Sequence, residues 1–177
     1  MKSALDLLYR GCAALGAFGL IAVFALMIVE TALRKMGSYI PGANDLISWS
    51  CAASGFLALP HTFKRGELVR VGLLLEHLQP AARRYAELFS LGSAAVFVGY
   101  MAWSVTHFVY ESWEINDVAQ GMLPLPMWIP QSSFAVGVII LFVAIVDELV
   151  LVIRKRTPSY VLAEKERIAS GDFGESV

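Results

Sequence analysis

The sequence predicts an all-α integral membrane protein with four transmembrane helices, both termini in the cytoplasm, and an amphipathic interfacial helix between the second and third spans. Three observations lead to this fold class. Of the 177 residues, 57% are hydrophobic and only 16% are charged, and the mean hydropathy of +0.62 exceeds that of an ordinary soluble domain. Four long stretches contain no Asp, Glu, Lys or Arg. Most Lys and Arg residues lie in alternate segments between these stretches.

The four uncharged stretches are each long enough to cross a bilayer. A spanning helix needs about 20 mostly apolar residues, because about 30 Å of hydrocarbon must be crossed at about 1.5 Å per residue. Pro124, Pro126 and Pro130 fit the first turn of a helix but not its middle, so we expect the fourth span to begin near Met127. The uncharged stretches are residues 11–29, 46–63, 88–110 and 118–146, and the predicted spans are residues 11–32, 46–63, 86–110 and 127–153.

The positions of the basic residues predict the orientation of the chain. Twelve of the 14 Lys and Arg residues lie in the N-terminal tail, the loop between the second and third spans, and the C-terminal tail. The other two are Arg34 and Lys35 in the first loop. By the positive-inside rule, both tails and the second loop face the cytoplasm. Residues 1–156 are therefore expected to form one membrane domain, and residues 157–177 a polar cytoplasmic tail.

The segment between the second and third predicted spans is half apolar and half basic. Within residues 66–79, Leu68, Val71, Leu75 and Leu78 fall within a narrow arc of a helix, and Arg70 lies far from it. A helix of this kind is too short and too charged to span, but it suits the inner membrane surface. Its simplest interpretation is an anchored connector. The basic residues predicted to hold it at the membrane surface are Lys64, Arg65, Arg70, Arg83 and Arg84.

No set of residues with the spacing of an active site or metal site is evident. His61 and His107 are expected at opposite membrane faces, so they cannot share a haem or a metal ion. Glu30, Asp147 and Glu148 stand at the ends of spans rather than in the middle, where a proton or ion pathway would need a carboxylate. We therefore expect no enzymatic activity, no cofactor and no metal, and interpret the chain as a subunit of a larger assembly.

Four motifs in a fixed order resemble the small membrane subunit of tripartite ATP-independent periplasmic (TRAP) transporters. They are Arg34 after the first span, Asp45 and Leu46 opening the second, the stretch FKRGELVRVGLLLEHL after the second, and the stretch from Leu125 to Pro130 opening the fourth. The resemblance covers roughly residues 10–155.

The resemblance implies a non-catalytic scaffold in a sodium-coupled importer of organic acids in the bacterial inner membrane. The implied partners are a large multi-helix membrane subunit that carries the substrate and a soluble periplasmic binding protein that delivers it. The small subunit would enlarge the fixed part of the large subunit, against which a transport domain moves as an elevator. The charges available for docking the binding protein are Arg34, Lys35, Asp45, Glu111, Glu114 and Asp117.

Two other interpretations remain open at the level of sequence. A stand-alone small transporter that dimerises would need an essential membrane carboxylate, for which Glu30 is the candidate at the outer face of the first span. The chain could also be an assembly or anchoring subunit of another membrane complex. A membrane enzyme is disfavoured because no nucleophile, base and metal set converges.

Overall fold

A computed structural model describes residues 2–65 and 80–154, which form four α-helices. Their bounds are α1 (Lys2–Lys35), α2 (Ala43–Arg65), α3 (Pro80–Glu114) and α4 (Trp128–Ile153). Helix α4 begins one residue after Met127, which is its N-cap residue. The predicted interfacial helix at residues 66–79 and the predicted tail at residues 157–177 lie outside the described residues.

The prediction of four transmembrane helices is wrong. Within the described part of the chain, three helical segments are long and apolar enough to cross a membrane: Leu7–Lys35, Tyr85–Glu114 and Trp128–Ile153. Helix α2 has sufficient length, with 23 residues, but its composition is too polar. The prediction rests on the absence of charge between Asp45 and Lys64, but uncharged polar residues and proline also weaken the preference for hydrocarbon. In α2 the polar residues are Ser48, Ser50, Ser54, His61 and Thr62, and the proline is Pro60.

The polar residues of α2 are accommodated by its own backbone and by its neighbours. The Ser54 hydroxyl donates to the Ser50 carbonyl at 2.7 Å, and the Thr62 hydroxyl donates to the Ala58 carbonyl at 3.1 Å. Ser54 is buried, because α2 packs against α1 on one side and α4 on the other. Hydroxyls that bond back to the preceding turn need no other partner, so these residues are compatible with the interior of a helical bundle.

The helices form two hairpins that join along α2 and α4. Helix α1 packs against α2, α3 packs against α4, and α2 packs against α4, which places α1 and α3 on the two flanks. Tyr9, Phe63, Leu91 and Val152 belong to one buried cluster, so α1 and α3 begin where α2 and α4 end. We call this end of the bundle the Lys64 end. The opposite end, where α2 begins, is the Asp45 end.

Helix α2 approaches both of its neighbours closely where a glycine faces its backbone. A Cβ atom at Gly137 of α4 would lie 2.7 Å from the carbonyl oxygen of Phe56 in α2. A Cβ atom at Gly16 of α1 would lie 2.9 Å from the carbonyl oxygen of Ser54. Small residues at helix crossings allow this close approach in membrane proteins, where dispersion contacts rather than water exclusion hold helices together. Helix α2 is thereby held tightly on both sides.

Candidate functional site

A buried ionic cluster ties together three helices at the Lys64 end. The Lys64 ammonium lies 2.5 Å from Oδ2 of Asp147 and 2.9 Å from Oε1 of Glu148. The same ammonium lies 5.5 Å from the centre of the Tyr9 ring. Lys64 comes from the last turn of α2, the two carboxylates from α4, and Tyr9 from α1. The cluster consists of these four residues, and it fixes the end of α2 between its two neighbours.

The electrostatics of the cluster favour a charged lysine. The Lys64 side chain is only 11% exposed, and Glu148 is fully buried. Burial by itself would lower the pKa of Lys64, but the hydrogen bonds and charges of Asp147 and Glu148 outweigh burial and raise that pKa above its ordinary value of 10.5. Removing one partner from a buried ion pair leaves an uncompensated charge. The cluster therefore stabilises the fold only while Lys64 and both carboxylates are present.

A polar cavity of about 830 Å³ opens at the Asp45 end. The Arg34 guanidinium reaches back one turn along α1 and binds Oε1 of Glu30, with Nε at 3.0 Å and one terminal nitrogen at 2.5 Å. Glu30 is buried, whereas the Arg34 side chain is largely exposed. The cavity combines this ion pair with hydroxyl and amide groups. Its polar side chains belong to Glu30, Arg34, Ser38, Tyr39, Asn44, Asp45 and Gln120.

The loop between α3 and α4 rests on the first turn of α2. The backbone N–H of Met122 donates to Oδ2 of Asp45 at 3.2 Å, and a Cβ atom at Gly121 would collide with the same oxygen. Leu123 packs against Gly42, which has a φ of +77°. Glycine is required at position 42 because a side chain would strain the backbone and also collide with Leu123. Asp45 thus has a structural contact that joins the two hairpins.

The predicted docking residues fall into three groups in the structure. Arg34 and Asp45 line the same cavity, and both already have partners within the chain. Lys35 lines a separate apolar groove on α1. Glu111 and Glu114 are exposed in the last turn of α3, and Asp117 is half-buried just beyond it. Docking itself stays a prediction.

The predicted anchoring residues are described only in part. Lys64 lies in the buried cluster, and Arg65, the last residue of α2, is exposed. Arg70 lies outside the described residues. Arg83 and Arg84 belong to the first turns of α3, and their side chains are not described. Anchoring at the membrane surface therefore also stays a prediction.

The two histidines of the helices lie towards opposite ends of the bundle. His61 is one turn from Lys64 in α2, and His107 lies 3.7 Å from a carboxylate oxygen of Glu111 near the end of α3. Within residues 2–65 and 80–154, no three His, Cys, Asp or Glu side chains come together as metal ligands.

Sequence reasoning missed the partners of Lys64. The sequence predicts Asp147 and Glu148 at the same membrane face as Lys64, and opposite charges at one face of a small bundle favour pairing. It also predicts a loop at Lys64, whereas α2 continues through this residue to Arg65. Tyr9 carried no signal, because an aromatic residue before an apolar stretch is equally typical of a membrane interface.

Comparison with known proteins agrees with the resemblance seen in the sequence. The family described as tripartite ATP-independent periplasmic transporters, DctQ component, matches residues 13–155. Neither the curated proteins nor the solved structures give a significant match. The family match spans most of the chain, from α1 to just beyond the end of α4. The chain therefore belongs to the DctQ family, the small membrane component of TRAP transporters.

Proposed function

We propose that this chain is the non-catalytic scaffold subunit of a sodium-coupled transporter that imports organic acids delivered by a periplasmic binding protein. The observation that carries the proposal is the family match over residues 13–155. In an elevator-type mechanism, a transport domain of the large membrane subunit moves against a fixed domain. The small subunit extends and stiffens that fixed domain.

The distribution of charge in the helices supports a scaffold rather than an ion pathway. Glu30 is bound by Arg34, and Glu148 is bound by Lys64. Both ion pairs stand near the ends of helices, whereas a pathway through the chain would need ionisable groups near the middle of the membrane. The Lys64–Glu148 pair joins α2 to α4 and the Arg34–Glu30 pair lies within α1, so both carboxylates serve contacts within the fold.

The exposed helix surfaces support an association within the membrane. The flanking helices α1 and α3 expose large apolar side chains along their lengths, including Phe18, Phe24, Phe89 and Phe97. Such surfaces are covered either by lipid or by other membrane helices. The partners we propose are the large multi-helix transport subunit, membrane lipids and, at one end, the periplasmic binding protein. Substrate and sodium bind to the partners rather than to this chain.

The charges at the two ends support one orientation in the bacterial inner membrane. Basic residues are concentrated in the segments that flank the Lys64 end, so by the positive-inside rule that end and both termini face the cytoplasm. Helix α2 is not apolar enough to span by itself, but it returns the chain to the Lys64 end while packed between α1 and α4. Arg65, Arg70, Arg83 and Arg84 then interact with anionic headgroups, while Lys64 supports α2 from within. The Asp45 end faces the periplasm and presents Glu111, Glu114 and Asp117 to the binding protein, together with Arg34, Lys35 and Asp45.

The proposal is tested by purifying the chain from its native membrane in mild detergent and identifying its stoichiometric partners by mass spectrometry. We expect one large polytopic membrane protein. A sample that contains this chain alone, as a homo-oligomer, would exclude the scaffold function and favour the stand-alone transporter.

A further inference from the structure

Three ring-bearing residues form an exposed polar ladder on α3. Tyr100, Trp103 and His107 follow one another at helical spacing, with ring centres 6.2 Å apart for the first pair and 5.9 Å apart for the second. Their surfaces are 68%, 66% and, for the His107 side chain, 59% exposed. Each ring carries a polar group that can form hydrogen bonds. We call these three residues the α3 ladder.

Tyr100 and Trp103 of the α3 ladder lie near the middle of the candidate span, whereas His107 lies towards its Asp45 end. Tyr100 is at the centre of the span Tyr85–Glu114, and its neighbour Gly99 contacts Phe142 near the centre of α4. Along the helix axis, Trp103 is about 4.5 Å and His107 about 10 Å from Tyr100. Each half of the hydrocarbon region is about 15 Å thick, so a tyrosine hydroxyl at the centre cannot reach the headgroups.

Lipid cannot satisfy these groups. Among the residues that the structure describes, Tyr100 and Trp103 make ring contacts, but their hydroxyl and indole N–H donate to no acceptor within the chain. A polar group in hydrocarbon without a hydrogen bond is energetically unfavourable, and lipid tails offer no acceptor. An acceptor must therefore come from another polypeptide.

The outer face of α1 differs from the α3 ladder because it is apolar. Exposed large residues in the middle of the span include Leu15, Phe18, Ile21, Phe24 and Ile28, and none of them has a polar group. Lipid tails cover such a face without loss of hydrogen bonds. The two flanks of the bundle thus present different chemistry at the same depth.

We propose that the α3 ladder is the surface on which a transmembrane helix of the large subunit docks, and that the outer face of α1 faces lipid. This inference rests on the proposed function. The docked helix offers hydrogen-bond acceptors to Tyr100 and Trp103, from Ser, Thr, Asn, Gln or acidic side chains or from carbonyls at a helix break. His107 lies closer to the Asp45 end, where it pairs with Glu111.

Site-specific photo-crosslinking in native membranes tests the assignment of the two faces. Benzoyl-phenylalanine replaces Trp103 on α3 in one variant and Phe24 on α1 in the matched variant, and the adducts are identified by mass spectrometry. We expect the Trp103 variant to form an adduct with a large polytopic protein and the Phe24 variant to form none. The reverse pattern, an adduct of two copies of this chain through Trp103, or no protein adduct at Trp103 would overturn the inference.

Purification of the wild-type chain with its partners distinguishes a failure of the α3 assignment from a failure of the proposed scaffold function. If the large subunit is recovered but crosslinks from Phe24 instead of Trp103, the scaffold function stands and the α3 assignment fails. If no large subunit is recovered, both fail.

A second variant isolates the hydrogen bonds from the ring surface. The double substitution Tyr100→Phe and Trp103→Phe removes both donors but retains aromatic side chains at exposed positions. The loss of two interhelical hydrogen bonds should reduce recovery of the large subunit about five- to tenfold. The control, Phe18→Leu with Phe24→Leu, should leave the recovery unchanged. Equal recovery from the double variant and the control would contradict the docking role.

Discussion

At the scale of single residues, Lys64 has the most consequential environment in the described part of the chain. One ammonium group satisfies two carboxylates and faces an aromatic ring, and the side chain is almost fully withdrawn from solvent. A lysine in such a position stabilises the fold only while it keeps its charge and its partners. Two predictions follow from this dependence.

The first concerns the removal of the Lys64 charge. Lys64→Met keeps the length of the side chain but removes the ammonium group that binds Asp147 and Glu148, so the free energy of unfolding in detergent should fall by about 3–5 kcal/mol. Arg10→Met, at an exposed position of α1 near the same end, should change it by less than about 1 kcal/mol. Neutralising both carboxylates together with Lys64 should restore much of the loss. A stable single variant would show that the cluster does not hold α2.

The second concerns pH. The pKa of Lys64 is raised in the folded protein, so the folded state holds this proton more tightly than the unfolded chain does. The stabilisation is therefore complete below the ordinary pKa of 10.5 and is lost as the pH rises through the higher folded value.

Thermal unfolding of the wild type and of Lys64→Met at pH 8 and pH 11 measures this effect. Other groups also titrate in alkali, and the comparison with the variant removes their contribution. The difference in Tm between the two proteins should be smaller at pH 11. A constant difference would contradict the pKa shift.

At the scale of elements, α2 shows both what sequence predicts and where it fails. The absence of charge from Leu46 to Phe63 predicts a helix, and α2 contains that whole range. The same absence does not predict a membrane span, because Ser, His and Pro reduce apolarity without adding charge. The bounds of α2 extend beyond the uncharged stretch, and that extension places Lys64 within reach of α4. Tertiary partners of this kind are set by helix packing, on which a charge count gives no information.

Helix packing also predicts the effect of a small substitution in α4. Gly137→Ala puts a methyl group 2.7 Å from the Phe56 carbonyl oxygen, and a backbone atom cannot rotate away. The hairpins must separate, at a cost of about 1–3 kcal/mol in the free energy of unfolding. Gly92→Ala is the matched control, since no atom lies within 4 Å of its Cβ position, and better helix propensity should stabilise it by up to about 1 kcal/mol. Equal effects at the two positions would show that close contact of α2 and α4 is not required.

At the scale of the whole molecule, the two ends of the bundle differ in how far their charged side chains are buried and paired between helices. At the Lys64 end, charges are buried and paired across helices, whereas Glu111 and Glu114 at the Asp45 end are exposed. Sequence analysis predicts which end faces the cytoplasm from counts of basic residues, and that orientation stays a prediction. It did not give which charges are already engaged, such as Arg34 with Glu30 and Asp45 with the loop after α3.

The proposed docking role of the acidic residues at and just beyond the end of α3 predicts a kinetic effect on transport. Replacing Glu111, Glu114 and Asp117 together by Lys should slow uptake when the periplasmic binding protein is scarce, because complementary charge mainly accelerates encounter. Uptake at saturating binding protein should stay close to the wild-type rate, and added salt should reduce the difference. Unchanged uptake at low concentrations of binding protein would remove these residues from the docking surface.

Polar contacts join the two helical hairpins at both ends of the bundle. At one end Lys64 of the first hairpin binds Asp147 and Glu148 of the second, and at the other Asp45 of the first binds the backbone of Met122 in the second. Sliding one hairpin along the other would break the contacts at both ends together. Rocking about one end would strain only the contact at the opposite end. The two contacts therefore oppose sliding of one hairpin along the other more than rocking, and the proposed scaffold function would require this resistance to sliding.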